Sequence, residues 1–193
     1  MLEIQMPRIE CIERSTDNCY AKFVVEPLER GYGITLGNCL KDSLLSSLPG
    51  SAVTSVKIEG VLNESSKIPG VLEGVRDIIR NLKLLAVKGH TDEPRVIRIG
   101  SKRRGIVRAA DIITDSDIEI LNPDLKLATL TRNGRFFMEM TVERGRVFVS
   151  SDKIEAPDVV NGVIPIQTIF APIYRVNYEV KAPRFGRSQP MIR

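Results

Sequence analysis

Apolar residues alternate with polar ones over much of this sequence, and this alternation is the feature that most constrains its fold. It is clearest over residues 135–142, where every second residue is large and apolar: Phe136, Met138, Met140 and Val142. A period of two places these side chains on one face of a β-strand. Similar patterns between turns predict further strands at residues 7–14, 19–28, 52–59, 95–100, 104–110, 126–131, 163–170 and 173–181. The chain is therefore predicted to be rich in strands.

Two segments have helical spacing instead. The first runs from about residue 36 to 48, with Thr35 as its predicted N-cap and Pro49-Gly50 as its end. The second, from Gly70 to about Val87, has the strongest amphipathic pattern in the chain. Two helices among many strands predict an α+β architecture, in which residues 51–170 form an insertion between the first part of the chain and a short last piece.

The first predicted helix has an unusual distribution of apolar residues. On a helical wheel, one stripe contains Leu36, Leu40, Ser43, Leu44 and Ser47. Ser43 interrupts the apolar character of this stripe. Leu45 is predicted to point away from the stripe, and an apolar residue that faces outward is typical of a surface that contacts a partner.

Charge and composition exclude several functional classes. Lys and Arg number 28 against 24 for Asp and Glu, an excess too small for a dedicated nucleic-acid binder. Cys11, Cys19 and Cys39 match no zinc-site spacing and are expected to be reduced thiols. The amino terminus lacks the order of a signal peptide, and no apolar run approaches the roughly 20 residues that span a bilayer. We therefore expect a soluble cytoplasmic protein without membrane contact.

No arrangement of residues predicts a catalytic, metal or cofactor site. His90 is the only histidine, which excludes a histidine-based triad or a two-histidine metal site within the chain. Gly31-Tyr32-Gly33 precedes a helix but lacks the third glycine of a dinucleotide fingerprint, and no P-loop lysine follows. Residues 111–119 are acidic but have no evident cationic counterpart, so a solvated loop is favoured. The chain is expected to have no catalytic site of its own.

A basic cluster, Lys102-Arg103-Arg104 followed by Arg108, leaves an alternative function open. These side chains could contact phosphates, and the chain would then be a free-standing nucleic-acid-binding regulator. However, short basic turns between strands are commonly solvated, and no aromatic residue is interleaved here to stack on a base. A solvated turn is the favoured interpretation.

The stretch at residues 23–38 reads FVVEPLERGYGITLGN and resembles the hallmark of the amino-terminal domain of bacterial and plastid RNA polymerase alpha subunits. The resemblance continues in the family's order through further segments: residues 44–50, 52–56, 68–71, 81–83, 109–112 and 117–125. It extends from about residue 7 to 186. Such a series of separate matches is far more specific than a single short motif.

The resemblance implies a two-domain fold, with a dimerisation domain of residues 1–50 and 171–193 and a strand-rich inserted domain of residues 51–170. It implies a non-catalytic subunit of the DNA-directed RNA polymerase (nucleotidyltransferase) complex, which pairs with a second alpha subunit and docks the beta and beta-prime subunits in transcription. It also implies a location in the cytoplasm or plastid stroma. Because the family continues into a dimer-forming helix and a DNA-binding domain beyond this chain's last residues, weaker self-association and no sequence-specific DNA contact are expected.

The resemblance also assigns residues to each partner. Docking of the beta subunit would involve Lys41, Asp42, Leu45, Asn63 and Glu64. Docking of the beta-prime subunit would involve Lys83 and Ile166. The dimer interface would involve Leu36, Leu40, Ser43 and Leu44. The family usually has two arginines where this chain has Lys41 and Asp42, so one docking charge is reversed.

Overall fold

The computed structural model describes residues 6–146, 148–149, 162–181 and 191–192. Contacts within the chain divide these residues into two compact units: the first holds those up to Ser47 and from Ile173 onward, and the second runs from Leu48 to Pro172. The borders predicted at residues 50 and 171 lie within a few residues of this division. Part of the predicted last piece, 171–193, lies outside the described residues, and the roles assigned to the two parts remain predictions.

The described elements confirm the predicted α+β class, with helices interspersed among many strands. The first unit contains β1 (Arg8–Arg14), β2 (Ala21–Glu26), α1 (Tyr32–Ser46), β14 (Val180–Lys181) and β15 (Met191–Ile192). The second unit contains β3 (Pro49–Ile58), α2 (Val75–Leu82), β4 (Val87–Gly89), β5 (Arg95–Ser101), β6 (Gly105–Arg108), β7 (Ile112–Ile113), β8 (Ile118–Ile120), β9 (Lys126–Leu130), β10 (Phe136–Arg146), β11 (Phe148–Val149), β12 (Val163–Pro165) and β13 (Thr168–Ile169).

The first unit is an antiparallel sheet, in the order β1-β2-β15-β14, together with α1. Strands β1 and β2 form the predicted hairpin, and in its turn the backbone nitrogen of Tyr20 donates to the Ser15 hydroxyl at 2.9 Å. Val25 and Leu28 are buried, with Leu36 and Tyr178 packed against them. The apolar core of this unit is therefore small.

Helix α1 begins earlier than predicted. Gly31 is its N-cap, with a φ of 87°, and Tyr32 is its first residue. The prediction that Thr35 caps the helix is wrong, because Thr35 lies inside it. A left-handed φ has little steric cost for glycine, so the chain can turn into the helix as soon as it reaches Gly31.

The second unit is built on an antiparallel sheet in the order β7-β5-β10-β3-β4-β8, with β12 also paired to β3. The long strand β10 lies between β3 and β5. Its alternate residues are buried, as the sequence pattern predicts: Phe136, Met138, Met140 and Val142. Helix α2 contributes its apolar face to the same core through Val75, Ile78, Ile79 and Leu82.

Helix α2 is shorter than the predicted segment from Gly70 to Val87. It begins after Gly74 and ends at Leu82, while Val87 already belongs to β4. Gly70 has a φ of 78° and lies so close to Gly134 that a Cβ on either residue would overlap the backbone of the other. The apolar residues on both sides of α2 enter the same core as the helix, which explains why the whole segment looked like one amphipathic helix.

Residues 163–181 contain less strand than predicted, with only the short strands β12, β13 and β14. The backbone nitrogen of Ile166 donates to the carbonyl of Thr54 at 2.7 Å, and the Thr168 hydroxyl donates to the carbonyl of Val53 at 2.6 Å. These bonds hold residues 166–168 alongside β3.

The Glu73 carboxylate joins the segment before α2 to strand β9. It accepts hydrogen bonds from the Thr129 backbone nitrogen at 2.6 Å and the Thr129 hydroxyl at 2.8 Å, and lies 2.9 Å from the Lys126 ammonium. Partial burial raises the pKa of Glu73, but the hydrogen bonds from Lys126 and Thr129 outweigh burial and hold this pKa below its ordinary value. The ionised carboxylate therefore stabilises the folded state.

We predict that Glu73→Gln lowers the free energy of unfolding at neutral pH by about 1–3 kcal/mol, because the amide replaces a charged acceptor. The folded pKa lies below the unfolded value, so the stabilisation is present above the unfolded pKa and is lost as pH falls through the folded pKa. Urea unfolding across this acid range should show a smaller loss of stability for Glu73→Gln than for the parent. The exposed Glu64→Gln serves as control, and an equal acid sensitivity of Glu73→Gln and parent would contradict the prediction.

Candidate partner-binding surfaces

Helix α1 carries most of the residues predicted to contact partners. Lys41, Asp42 and Ser43 are exposed, and Leu40 is 40% exposed. Leu36 instead packs against the core of its own unit, and Leu44 is half-buried.

Leu45 does not project freely from the helix as predicted, because it too is half-buried. Apolar residues are spread around α1 instead of forming one stripe. Ile34 is 58% exposed, whereas Leu36, Leu44 and Leu45 are each partly covered. Lys41, Asp42 and Ser43 are therefore the accessible members of the predicted set, together with Leu40.

Two glycines seat helix α1 within its unit. Gly33 and Gly37 are buried and lie about one turn apart. The ring of Tyr178 lies directly on Gly37, where a Cβ would overlap the ring, and the Tyr178 hydroxyl hydrogen-bonds to the side-chain oxygen of Asn38. Because glycine has no side chain, the ring can approach the helix backbone. The face of α1 that carries Gly33 and Gly37 is therefore turned toward its own unit.

The first unit leaves large apolar side chains at its surface. On the β1–β2 hairpin and α1, those that are at least half exposed include Ile9, Ile12, Phe23, Tyr32 and Ile34. The core beneath them is small, with Val25 and Leu28 at its centre. Extensive exposed apolar surface often marks a protein–protein contact. This surface is therefore suited to a partner chain.

Asn63 and Glu64 lie in an exposed loop of the second unit. The side-chain oxygen of Asn63 accepts hydrogen bonds from the Ser65 backbone nitrogen at 3.1 Å and from the Ser66 hydroxyl at 3.0 Å. Bonds of this kind hold a local turn. The Glu64 side chain is left accessible to a partner.

The two residues assigned to beta-prime docking differ in accessibility. Lys83 is exposed at the carboxy-terminal end of α2. Ile166 is 1% exposed and belongs to the apolar core of the second unit. Its side chain is not available at the surface, because burial in this core and the backbone bond to Thr54 hold it inward.

The sequence did not indicate a role for two exposed leucines, Leu84, which follows Lys83, and Leu121. Leu84 is 63% exposed and Leu121 is 55% exposed. Asn122 joins the two segments, because its side chain donates to the Leu84 carbonyl and accepts from the Ala86 nitrogen, each at 2.9 Å. Residues 84 and 121 are far apart in sequence, and only these bonds show that their segments are neighbours; we call the two exposed leucines the Leu84–Leu121 patch.

The acidic stretch at residues 111–119 has more partners than predicted. The Asp111 carboxylate accepts from the Arg108 backbone nitrogen at 2.8 Å, and Asp117 forms an ion pair with Arg95 at 2.9 Å. The expectation that these carboxylates lack a cationic counterpart is therefore wrong for Asp117 and Glu119, because β5 brings Arg95 to Asp117 and β4 brings Lys88 to within 3.5 Å of Glu119. These contacts stabilise the fold of this stretch.

The remaining candidate residues form no recognisable chemical site. His90 lies 3.9 Å from the Glu119 carboxylate, and Cys11, Cys19 and Cys39 are free and exposed. In the part of the chain that the structure describes, His, Cys, Asp and Glu residues form no group arranged to hold a metal ion. Within the same residues, no helix combines the length and apolarity needed to cross a membrane.

We predict that Gly37→Ala destabilises the first unit by about 1–3 kcal/mol, because the new methyl group would overlap the Tyr178 ring. In a Tyr178→Ala background the same change should be neutral or stabilising by up to about 1 kcal/mol, because alanine favours a helix more than glycine does. Hydrogen exchange of the α1 amides measures both effects. An equal cost of Gly37→Ala in the two backgrounds would show that the ring contact is not the cause.

Comparison with known proteins places the chain in a family. Residues 56–171 match the family model described as the RNA polymerase Rpb3/RpoA insert domain. The DNA-directed RNA polymerase subunit alpha of Desulfitobacterium hafniense (strain Y51) is 69% identical over 186 residues, which are 96% of this chain and 59% of that protein. The corresponding subunit of Moorella thermoacetica is 59% identical over 187 residues, which are 97% of this chain and 59% of that protein.

The chain thus spans 59% of the length of these relatives. The family match covers most of the second unit, including the central strand β10, helix α2 and the Leu84–Leu121 patch. The chain therefore belongs to the RNA polymerase Rpb3/RpoA insert domain family and is similar to bacterial alpha subunits over nearly all of its own length.

Proposed function

We propose that the chain acts as a non-catalytic assembly subunit of DNA-directed RNA polymerase, which pairs with a second alpha subunit and docks the beta and beta-prime subunits. The observation that carries this proposal is the 69% identity to an alpha subunit over 96% of the chain. In this role the chain acts through its surfaces. Exposed residues of both units support the proposal.

The pairing surface lies on the first unit. Its exposed apolar side chains, among them Phe23, Tyr32 and Ile34, would be removed from water by a second copy. Burial of apolar surface contributes roughly 25 cal/mol per Å², and it is the main driving force of association. Leu40 and Ser43 are also accessible for this contact.

The residues proposed to contact the beta subunit are Lys41 and Asp42 on α1 of the first unit and, separately, Asn63 and Glu64 in a loop of the second unit. Asp42 makes no ion pair among the described residues, and the hydrogen bond from the Ser46 hydroxyl goes to its backbone oxygen. Its carboxylate is thus free to meet a partner. A charge at the rim of an interface affects both the association rate and the choice of partner.

The surface for the beta-prime subunit consists of Lys83 and the Leu84–Leu121 patch. Protein–protein interfaces commonly have an apolar centre and a polar rim. Lys83 supplies a charge beside Leu84, and the Asn122 hydrogen bonds hold the two leucine-bearing segments together. Ile166 is buried in the core and would not contact this partner directly.

Co-purification tests the proposal directly. The chain, carrying an affinity tag, would be mixed with separately produced beta and beta-prime subunits of Desulfitobacterium hafniense, whose alpha subunit is 69% identical. Capture of both large subunits at a fixed stoichiometry is the expected result. Failure to capture either one, from a chain that is folded by circular dichroism, would refute the assembly role.

We predict that Asp42→Arg strengthens binding of the beta subunit on the order of tenfold at low salt, because an acidic partner surface would then meet a cation. The free energy of unfolding should change by no more than about 0.5 kcal/mol, since Asp42 is exposed. Titration of the beta subunit at rising ionic strength measures the effect. The gain should shrink as salt screens the charge.

Asp124→Arg is the matched control, because it makes the same charge change at an exposed residue of the second unit. It should leave affinity for the beta subunit unchanged. If Asp42→Arg binds no better than the parent, or if both variants gain equally, Asp42 is not at the docking surface.

We predict that Leu84→Ser combined with Leu121→Ser weakens capture of the beta-prime subunit on the order of tenfold, because two apolar contacts would be lost. Leu72→Ser combined with Ile113→Ser is the control, since these residues are also highly exposed in the second unit. Quantitative pull-down compares both variants with the parent. Equal losses in the two variants would show a general effect of surface polarity, and no loss in either would remove the patch from the proposed interface.

A further inference from the structure

Strand pairing brings two basic loops to the same end of the sheet in the second unit. In the β5–β10 ladder, Ser101 pairs with Phe136 and Gly100 with Phe137. The loop that follows β5, residues 102–104, therefore lies beside the loop that precedes β10, residues 132–135. The two loops are about 30 residues apart in sequence and become neighbours only through this register.

The side chains at this end of the sheet form a concentrated positive surface. Five exposed cations lie on the two loops: Lys102, Arg103, Arg104, Arg132 and Arg135. Within the described part of the chain, none of them forms an ion pair with a carboxylate. By contrast, Arg98 and Arg144, farther along the same strands, pair with Glu139 at 2.8 Å and Asp92 at 3.0 Å. The loop cations are thus available to an external anion.

A cleft of about 450 Å³ opens between the loops. Its walls include Lys102, Arg135, Glu59 and the exposed ring of Phe137. Gly100 lies next to this ring, with only 3.4 Å between the ring and the place a Cβ would occupy. Phe137 is 41% exposed and so offers an aromatic surface beside the cations.

We propose that this cleft binds single-stranded nucleic acid. The loop cations neutralise backbone phosphates, and the Phe137 ring stacks on an unpaired base, which is the combination used by proteins that bind single strands without sequence preference. An acidic peptide would gain from the charges but would leave the ring without a flat partner. A duplex keeps its bases stacked on one another. The proposal does not depend on assembly with polymerase subunits.

The structure supplies the aromatic residue that the basic stretch at 102–108 lacks. Phe137 lies on another strand, and its place beside Lys102 follows from the register of β5 and β10. The basic turn that begins at Lys102, which the sequence predicted to be solvated, therefore forms one wall of the cleft. Sequence spacing could not indicate this, because Phe137 and Arg135 lie more than 30 residues after Lys102 in the sequence.

Fluorescence anisotropy with the full chain alone tests the proposal, using a labelled oligothymidylate of about 15 nucleotides. Lys102→Gln with Arg135→Gln should weaken binding at low salt by about tenfold and reduce the slope of log affinity against log salt by about 1.4, since each single-strand phosphate contact contributes about 0.7. Phe137→Leu keeps an apolar side chain but removes stacking, and should weaken binding about fivefold or more.

Lys67→Gln with Arg76→Gln is the matched control, because both residues are exposed cations of the same unit outside the cleft. It should leave affinity within about twofold of the parent. Equal losses in the cleft and control variants would overturn the proposal, as would no effect of Phe137→Leu. Tighter binding of a polyglutamate peptide than of the oligonucleotide would identify an acidic protein segment as the ligand and would also overturn it.

Discussion

The pairing of β10 with β3 and β5 is the interaction on which the second unit depends. Met138 lies between Ile58 of β3 and Ile99 of β5, and Met140 lies in the next buried row. Because side chains alternate between faces, a slip of one residue would turn this row toward water. The same register sets the two basic loops side by side. The ladder therefore determines both a buried row of the core and a charged end of the sheet.

The first unit is organised differently, because its core is small. Helix α1 packs in this unit through a close contact between the Tyr178 ring and Gly37. Helices more usually pack through large interlocking side chains. Such a unit keeps large apolar side chains exposed, and association with another chain would remove them from water. This physical condition is consistent with a chain that works as part of a larger assembly.

The candidate surfaces were only partly predictable. Lys41, Asp42, Glu64 and Lys83 are exposed, so their charges can meet a partner. Ile166 is buried, since a residue's place in a motif does not say which side of a segment faces the core. The Leu84–Leu121 patch was missed because the two leucines are brought together by the hydrogen bonds of Asn122, which leave no periodic signal.

The sequence by itself determined the α+β class, the positions of the main strands and the existence of both helices, because apolar periodicity records which side chains must leave water. It also carried the family resemblance, through motifs that require no coordinates. The close approach of Gly70 to Gly134, in the segment before α2, was decided by tertiary structure, since these two residues are far apart in sequence. The cleft beside Phe137 was likewise decided by the fold, because strand register joins residues that the sequence keeps far apart.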